Sequence, residues 1–467
     1  MADGLGLGDA YGATIERIKA QGGDKSRLGM EALMWISFAE RPLRVDELCH
    51  ALAVELGSTD FNTDNVPSMS TLVGCCQGLI IVDEKASIVR LIHFTLKEYL
   101  SVHSDIFSRP HSAMAEICLT YLHSEQVKAI SADAYPDMLD TPFLEYCSLY
   151  WGAHAKRELS AYGMSLALKL LQEYDNHISA KLLFERVDEY GDFVGPSSSL
   201  SGLHCASFFG IVDVVAALIE MGCHDINGED HGGSTPLVRA CQYGHEEVVK
   251  LLLEQGEVDP NSQDGGGRTP LWHAAGEGHE RVVEILLGRE EVNPGEPDID
   301  GGTPLLIAAW SGHEEVVRIL LRRDEVNPDN QDNAGRTPFW YAAEKGHERV
   351  IKMLLGRQEV NPDKLDSDGQ TPLAIAARLG REGVVKILLG LEKVNPDKPD
   401  NSGRTPLSYA AGNGCGGVVE ILLEREEVNI NRPDNRGRTP LMFAAGPNHQ
   451  KVVALLQHHK AVTSSAI

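Results

Sequence analysis

The stretch GRTPLWHAAGEGHERVVEILLGREEVNPGEPD (Gly267–Asp298) is followed by a near copy that begins at Gly301 and by another that begins at Gly335. The Thr of the Thr-Pro pair recurs every 34 residues, and one further step back reaches Ser201. A fixed period of this length indicates stacked helical units, each of which buries its apolar face only against its neighbours. The recurring positions are Thr235, Thr269, Thr303, Thr337, Thr371, Thr405 and Thr439.

Each unit carries its own start and stop signals. The Asp-x-x-Gly segment predicts a turn, because Asp bonds its own backbone and Gly accepts a positive φ. Thr then predicts an N-cap and Pro the first residue of a helix. A second helix with acidic residues in its first turn follows, and the Asn-Pro pair ends the unit. The sequence therefore predicts a turn and two helices per repeat.

Composition limits the classes of protein to which this chain can belong. Of 467 residues, 42% are hydrophobic and 24% are charged, which is typical of a folded, soluble chain. The net charge of -26 argues against binding to nucleic-acid phosphates. Nine cysteines without a CxxC pair indicate reduced thiols. No secretory signal or membrane span is visible, and we therefore expect the cytoplasm or the nucleus.

Two columns of polar residues invite a chemical interpretation. His245, His279, His313, His347 and His449 fall at equivalent positions, as do the Asp residues of the turns. Repeat layers lie about 8–10 Å apart, whereas zinc needs nitrogen ligands about 2 Å from one point. We therefore predict a structural role for both columns, with no catalytic residue, metal ligand or cofactor in the chain.

The first 200 residues lack the period. Residues 24–40, 41–57 and 66–77 predict three helices, and residues 78–94 predict a β-hairpin. Three helices followed by a hairpin predict a winged helix, after which Thr95 and Glu98 suggest a capping box. The candidate recognition segment Pro67–Gln77 has no Lys or Arg, so direct DNA binding is not expected. Further helices are predicted near 113–122, 142–154 and 165–174.

The phrases TPLWHAA, TPLLIAA, TPLAIAA and TPLMFAA resemble the ankyrin signature. The resemblance implies a solenoid that binds partner proteins on its concave side, through turn tips and the exposed ends of first helices. Arg precedes four of the recurring Thr residues, and this row of arginines beside exposed aromatic residues would suit an acidic or mixed peptide. Transferred by position, the candidate partner-binding residues are Phe208, Phe209, Gln242, Tyr243, Arg268, Glu277, Trp310, Arg336, Glu344, Lys345, Arg378, Leu379, Arg404, Asn413 and Arg438.

Phe208 and Phe209 have an alternative interpretation. They lie in the first unit, where they would instead contact the preceding domain.

The phrases CCQGLIIVDEKASIVRLIHFTLKEYL and TPFLEYCSLYWGAHA resemble the region that follows the NACHT module in fungal NACHT–ankyrin signalling proteins. In that family, the His equivalent to His93 contacts bound ADP. This chain departs from the pattern, because it holds no GxxxxGK[ST] loop and has Asp24 where the phosphate cradle requires Gly. We therefore interpret His93 as a packed or capping residue.

Together these patterns predict a mostly α protein, with a winged-helix and helical module followed by an ankyrin-repeat α-solenoid. The predicted divisions are 1–110 (winged-helix-like), 111–190 (helical connector), 191–200 (linker) and 201–467 (eight repeats). The favoured function is a non-catalytic scaffold or adaptor for protein partners, with no direct nucleic-acid or membrane binding. The alternative is a regulator that acts with a partner supplying DNA or nucleotide binding.

Overall fold

The computed structural model describes residues 6–131, 141–187, 200–446 and 449–465. The chain forms two compact units, Met1–Pro236 and Leu237–Ile467. The predicted linker, residues 191–200, lies outside the described residues except for Leu200. The boundaries at 110, 190 and 200 stay predictions.

The N-terminal unit begins with the predicted winged helix. After a first helix, the three predicted helices and an antiparallel hairpin follow one another, with Ile80 paired to Leu91 and Asp83 paired to Ile88. Arg44 adds an isolated bridge to Ile88, which ties the second of these helices to the wing. The elements are α1 (Leu7–Lys19), α2 (Gly23–Phe38), α3 (Val45–Ala53), α4 (Met69–Cys75), β1 (Ile80–Asp83), β2 (Ile88–Leu91) and α5 (Phe94–Val102).

Two local predictions for this region were incomplete or wrong. Helix α1 was missed, although Tyr11, Ile15 and Ile18 are buried at the spacing of one helix face. The capping box at Thr95 does not form, because the N-cap of α5 is His93, two residues earlier, and the helix begins at Phe94. The Thr95 hydroxyl instead lies 2.8 Å from the Tyr11 hydroxyl.

A helical bundle follows the winged helix in the same unit. Its core is aromatic: the ring of Trp35 makes edge contacts with Phe143 at 5.4 Å and with Tyr146 at 5.8 Å. Single-turn 3₁₀ helices lie at Thr63–Asn65, Ser104–Ile106 and Tyr174–Asn176. The helices are α6 (Pro110–Leu122), α7 (Glu125–Lys128), α8 (Leu144–Arg157), α9 (Ala161–Leu171) and α10 (Ile178–Val187).

The first repeat belongs to the N-terminal unit. Its helices are α11 (Gly202–Phe209) and α12 (Val212–Met221), and Ser201 replaces the usual Thr as N-cap by accepting the N–H of His204. Helix α11 contacts α8 and α9, so the bundle covers the apolar face of this first repeat.

The second unit is built from the predicted helix pairs. First helices contact first helices, and second helices contact second helices, in a stack. The elements are α13 (Pro236–Gln242), α14 (Glu246–Leu253), α15 (Pro270–Gly276), α16 (Glu280–Leu287), α17 (Pro304–Ser311), α18 (Glu314–Leu321), α19 (Pro338–Lys345), α20 (Glu348–Leu354), α21 (Pro372–Arg378), α22 (Glu382–Leu389), α23 (Pro406–Gly412), α24 (Gly416–Leu423), α25 (Pro440–Phe443) and α26 (Gln450–Ser465).

Backbone bonds between neighbouring turns hold this stack in register. The first residue after each turn Asp, from Ile299 onward, donates its N–H to a carbonyl of the preceding turn at 2.8–3.0 Å. These bonds satisfy backbone groups that would otherwise compete for water. They join Ile299 to Gly266, Asn333 to Asp300, Ser367 to Ala334, Asn401 to Asp368, and Asn435 to Ser402.

Ion pairs join the loops that follow the second helices. The Lys364 ammonium lies 2.8 Å from the carboxylate of Asp329 in the preceding loop, and equivalent pairs occur in the following repeats. The same contact joins Lys398 to Asp363 and Arg432 to Asp397. Across the part of the chain that the structure describes, no helix is long and apolar enough to span a bilayer.

Candidate functional site

The turn Asp residues confirm the structural interpretation. In all seven turns, Oδ1 accepts the backbone N–H groups two and four residues later, at 2.7–3.0 Å. The column is therefore the Asx-turn chemistry expected from the sequence.

The His column joins consecutive repeats. The Nε2 atom of His313 donates to the carbonyl oxygen of Gly276 at 2.9 Å, near the end of the preceding first helix. His279 and His347 make the same bond to Gln242 and Trp310. Their rings are committed to these carbonyls, which is a structural role, as predicted.

The four arginines that precede Thr-Pro lie against aromatic rings of their own repeats. Each guanidinium carbon is 4.5–4.8 Å from a ring centroid, which is cation–π distance. We call these contacts the arginine braces. They pair Arg268 with Trp272, Arg336 with Trp340, Arg404 with Tyr409, and Arg438 with Phe443.

Two of the braces are also ion pairs. Arg404 lies 3.0 Å from Asp400, and Arg438 lies 2.7 Å from Asp434. Neighbouring carboxylates therefore already neutralise two of the four arginines that were predicted to bind an acidic or mixed peptide. The signal was present in the sequence, because Arg268 and Arg336 each precede a Trp by four residues.

The hydrogen-bond partner of the second carboxylate oxygen, Oδ2, differs between successive turn Asp residues. Oδ2 of Asp332 accepts the Tyr341 hydroxyl at 2.7 Å, and Oδ2 of Asp264 accepts His273 at 2.8 Å. Burial, and then the bond to Asp332, raises the pKa of Tyr341 to about 12. Against the opposing effect of burial, the bond from His273 lowers the pKa of Asp264.

In the intervening repeats, the residue nine positions after the Asp is Ile307 or Ile375. An isoleucine side chain has no hydrogen-bond donor to offer Asp298 or Asp366, and burial raises the pKa of both carboxyls. The polar contacts of the turn Asp therefore differ from one repeat to the next.

Several predicted residues lie at the ends of first helices, where apolar and cationic side chains are exposed or half-buried. Trp310 and Leu379 each keep 40% of their surface exposed, unusually for large apolar side chains. The Lys345 ammonium lies 4.5 Å above the Trp310 ring. Arg378, half-buried, lies 6.0 Å from the ring of Tyr409. We name Trp310, Lys345, Arg378 and Leu379 the helix-end patch.

The remaining predicted residues are dispersed. Glu277 is exposed, and Tyr243 is half-buried, with its ring 6.5 Å from that of His245. Asn413 donates its amide to the carbonyl of Arg378 at 2.7 Å and so borders the patch.

The prediction that Phe209 binds a partner is wrong. Its ring is buried 5.5 Å from that of Trp151 on α8, which is the alternative in which this residue contacts the preceding domain. Phe208 makes an edge contact with Phe209 at 4.9 Å. Phe209 therefore leaves the candidate set.

His93 is the N-cap of α5. Its Nδ1 atom accepts the N–H of Thr95 at 3.3 Å and lies 2.9 Å from the Thr95 hydroxyl. This is the capping interpretation made from the sequence.

Charge is distributed unequally along the repeats. Residues 237–335 contain 8 Lys or Arg against 20 Asp or Glu, whereas residues 336–467 contain 18 against 15. Three members of the helix-end patch lie in the second, weakly basic segment, whereas Trp310 lies in the first, acidic segment. The local charge thus differs from the net charge of -26.

Comparison with known proteins relates both parts of the chain to protein families. A family model for the winged-helix domain of GPI inositol-deacylase matches residues 16–110. The azaphilone pigments biosynthesis cluster protein L of Monascus ruber is 27% identical over 246 residues, which is 46% of this chain and 52% of that protein. The chain thus spans about half the length of this relative.

A family model described as three copies of the ankyrin repeat matches residues 162–264, 256–332, 324–400 and 382–465. The first match begins within the helical bundle, before Ser201. Since these matches span most of the sequence, the chain belongs to the ankyrin-repeat family, with a winged-helix domain before the repeats.

Proposed function

We propose that this chain is a non-catalytic adaptor that holds a partner protein at the helix-end patch. Ankyrin repeats are in general protein-interaction modules. The observation that carries the proposal is the exposure of Trp310 and Leu379 beside two cationic side chains. Interface hot spots are enriched in Trp and Arg, and a rigid ring costs little entropy on binding.

The chemistry of the patch defines the partner. Trp310 and Leu379 would receive large apolar side chains, and Lys345 and Arg378 would pair with carboxylates. The ligand is therefore an extended segment that carries apolar anchors and acidic residues. The weakly basic charge of residues 336–467 supports the same partner.

The proposal is tested by affinity purification with the intact chain and with the double variant Trp310→Ala/Leu379→Ala, followed by quantitative mass spectrometry. Loss of two anchors, each costing about 1–2 kcal/mol or more, lowers recovery of a direct partner at least about tenfold. The matched control is Leu56→Ala/Tyr162→Ala, whose side chains are 51% and 42% exposed in the N-terminal unit.

A partner identified in this way is then titrated with the purified chain at two salt concentrations. We expect weaker binding at higher salt, since exposed charges are screened. Equal recovery of every interactor with the patch variant and the control variant would refute the patch as the contact surface.

A further inference from the structure

Three side chains from distant parts of the N-terminal unit converge beside α6 and α8. Glu40 lies just after α2, His111 lies in the first turn of α6, and His154 lies near the end of α8. One ligand atom from each lies within 4.8 Å of the others. The two imidazole Nδ1 atoms are 2.9 Å apart, and Nδ1 of His154 is 3.8 Å from Oε1 of Glu40.

The facing nitrogen atoms impose a chemical restriction. Two Nδ1 atoms at 2.9 Å can share a single proton, because two N–H groups would clash. At least one of the two facing Nδ1 atoms therefore presents a lone pair, through which a neutral imidazole binds a metal.

Neighbouring polar and aromatic side chains hold these rings in place, as the residues around the ligands do in metal sites. The Nε2 atom of His154 lies 2.9 Å from the Tyr146 hydroxyl, which also accepts the backbone N–H of Glu40 at 3.0 Å. Trp35 makes an edge contact with His154, and Phe38 makes one with His111. A partner on the second ring nitrogen and an apolar wall are both typical of histidine ligands.

We propose that Glu40, His111 and His154 bind a Zn²⁺ ion. Two imidazoles and one carboxylate are a ligand set that zinc accepts, with a fourth position open to water. Zn–N distances near 2.0–2.1 Å in a tetrahedron place two nitrogens about 3.3 Å apart, a few tenths of an ångström beyond the present separation.

Two adjustments complete the site. The proton shared by the rings moves to Nε2 of His154, where it is donated to the Tyr146 oxygen, so that both Nδ1 lone pairs face the ion. Glu40 turns from Arg157 towards the ion. Arg157 has half of its side chain exposed, and water replaces its carboxylate partner at small cost.

The test uses the full chain after removal of metals by a chelator. Zinc chloride is titrated by calorimetry, and cobalt chloride is titrated separately by visible absorption. We expect one strong site per chain and the visible bands of tetrahedral Co²⁺ with nitrogen and oxygen ligands. His111→Ala and Glu40→Gln each weaken binding at least about tenfold.

The matched control is His103→Ala, which removes an exposed histidine stacked on Tyr99 in the same unit. Its zinc affinity stays that of the wild type. Circular dichroism verifies the fold of each variant, and Glu40→Gln decides the result if His111→Ala is unfolded.

The proposal is overturned if the intact chain binds zinc no more tightly than about 100 μM. It is equally overturned if a folded Glu40→Gln variant retains the wild-type affinity and cobalt spectrum. Failure of the helix-end patch would leave this result unaffected, because the site lies in the other unit.

Discussion

The two units of the chain stabilise their interiors in different ways. The N-terminal unit places large aromatic residues in contacts that occur once, such as Trp35 against Phe143 and Tyr146. The repeat unit buries small sets of Leu, Ala and Val, and it makes the same bonds every 34 residues. Loss of a contact should therefore spread through the first unit and stay local in the second, where stability is a sum of neighbour terms.

Among the variants that test this difference between the units, Trp35→Ala should have the largest effect. The ring is fully buried, and its removal should lower the free energy of unfolding by about 4 kcal/mol, as is typical when a large core side chain is truncated. We expect hydrogen exchange to show lost amide protection across α2, α6 and α8, with protection retained from α15 to α22. Met442→Ala, at a side chain that is 61% exposed, serves as control and changes stability by less than about 0.5 kcal/mol. Equal loss of protection in both units would contradict the comparison.

The dependence on pH should be concentrated in the unit with unique contacts. His177 is held neutral between the carbonyl of Leu122, at 3.0 Å, and Ser179, whose N–H it accepts at 3.2 Å. Burial is the main cause that lowers its pKa to about 4, and His123 and Lys128 lower it further. The unfolded chain, with a pKa near 6.5, therefore binds this proton first as pH falls.

The stability contributed by neutral His177 is complete above pH 6.5 and is lost between about pH 6.5 and 4. The loss reaches about 3 kcal/mol. His177→Asn retains an acceptor for the Ser179 N–H but does not titrate. Urea unfolding followed by hydrogen exchange at pH 7.5 and pH 5 should show a smaller pH effect in the variant. An identical pH effect in both proteins would exclude His177 as its source.

The same contrast explains what the sequence could predict. The turn Asp, the Thr N-cap and the Pro that follows it are local signals, and the structure confirms the Thr cap in the five repeats from Thr269 to Thr405. The Thr439 side chain makes no such bond. The three helices and hairpin of the winged helix were also readable from local patterns. Repetition helps here, because each unit states the same rule again.

The features that were missed depend on long-range packing. Helix α1 begins in a glycine-rich segment of low helix propensity, and its contacts with α2 and α5 supply the stability. Glu40, His111 and His154 share no local motif, and only the packing of α6 on α8 brings the two rings together. The burial of Phe209 likewise depends on Trp151, far away in the sequence.

The smallest predicted effect is a gain of stability within the repeat unit. Cys415 occupies the position of the His column, but its sulfur lies 3.7 Å from the carbonyl of Arg378, a weak bond. Its backbone angles, φ -74° and ψ 71°, resemble those of His347, φ -79° and ψ 78°. Gly380 lies beneath Cys415 with a positive φ, as Gly312 does beneath His347, so an imidazole ring has room.

Cys415→His should therefore form the bond that His347 makes and stabilise the adjoining repeats by about 0.5–1 kcal/mol. The measurement is amide exchange in α22 to α24, compared with wild type and with Cys223→His, an exposed cysteine outside this column. We expect slower exchange in the first variant alone. Unchanged or faster exchange would mean that the His column is stabilised by its particular neighbours, and that the repeats are less interchangeable than their sequence indicates.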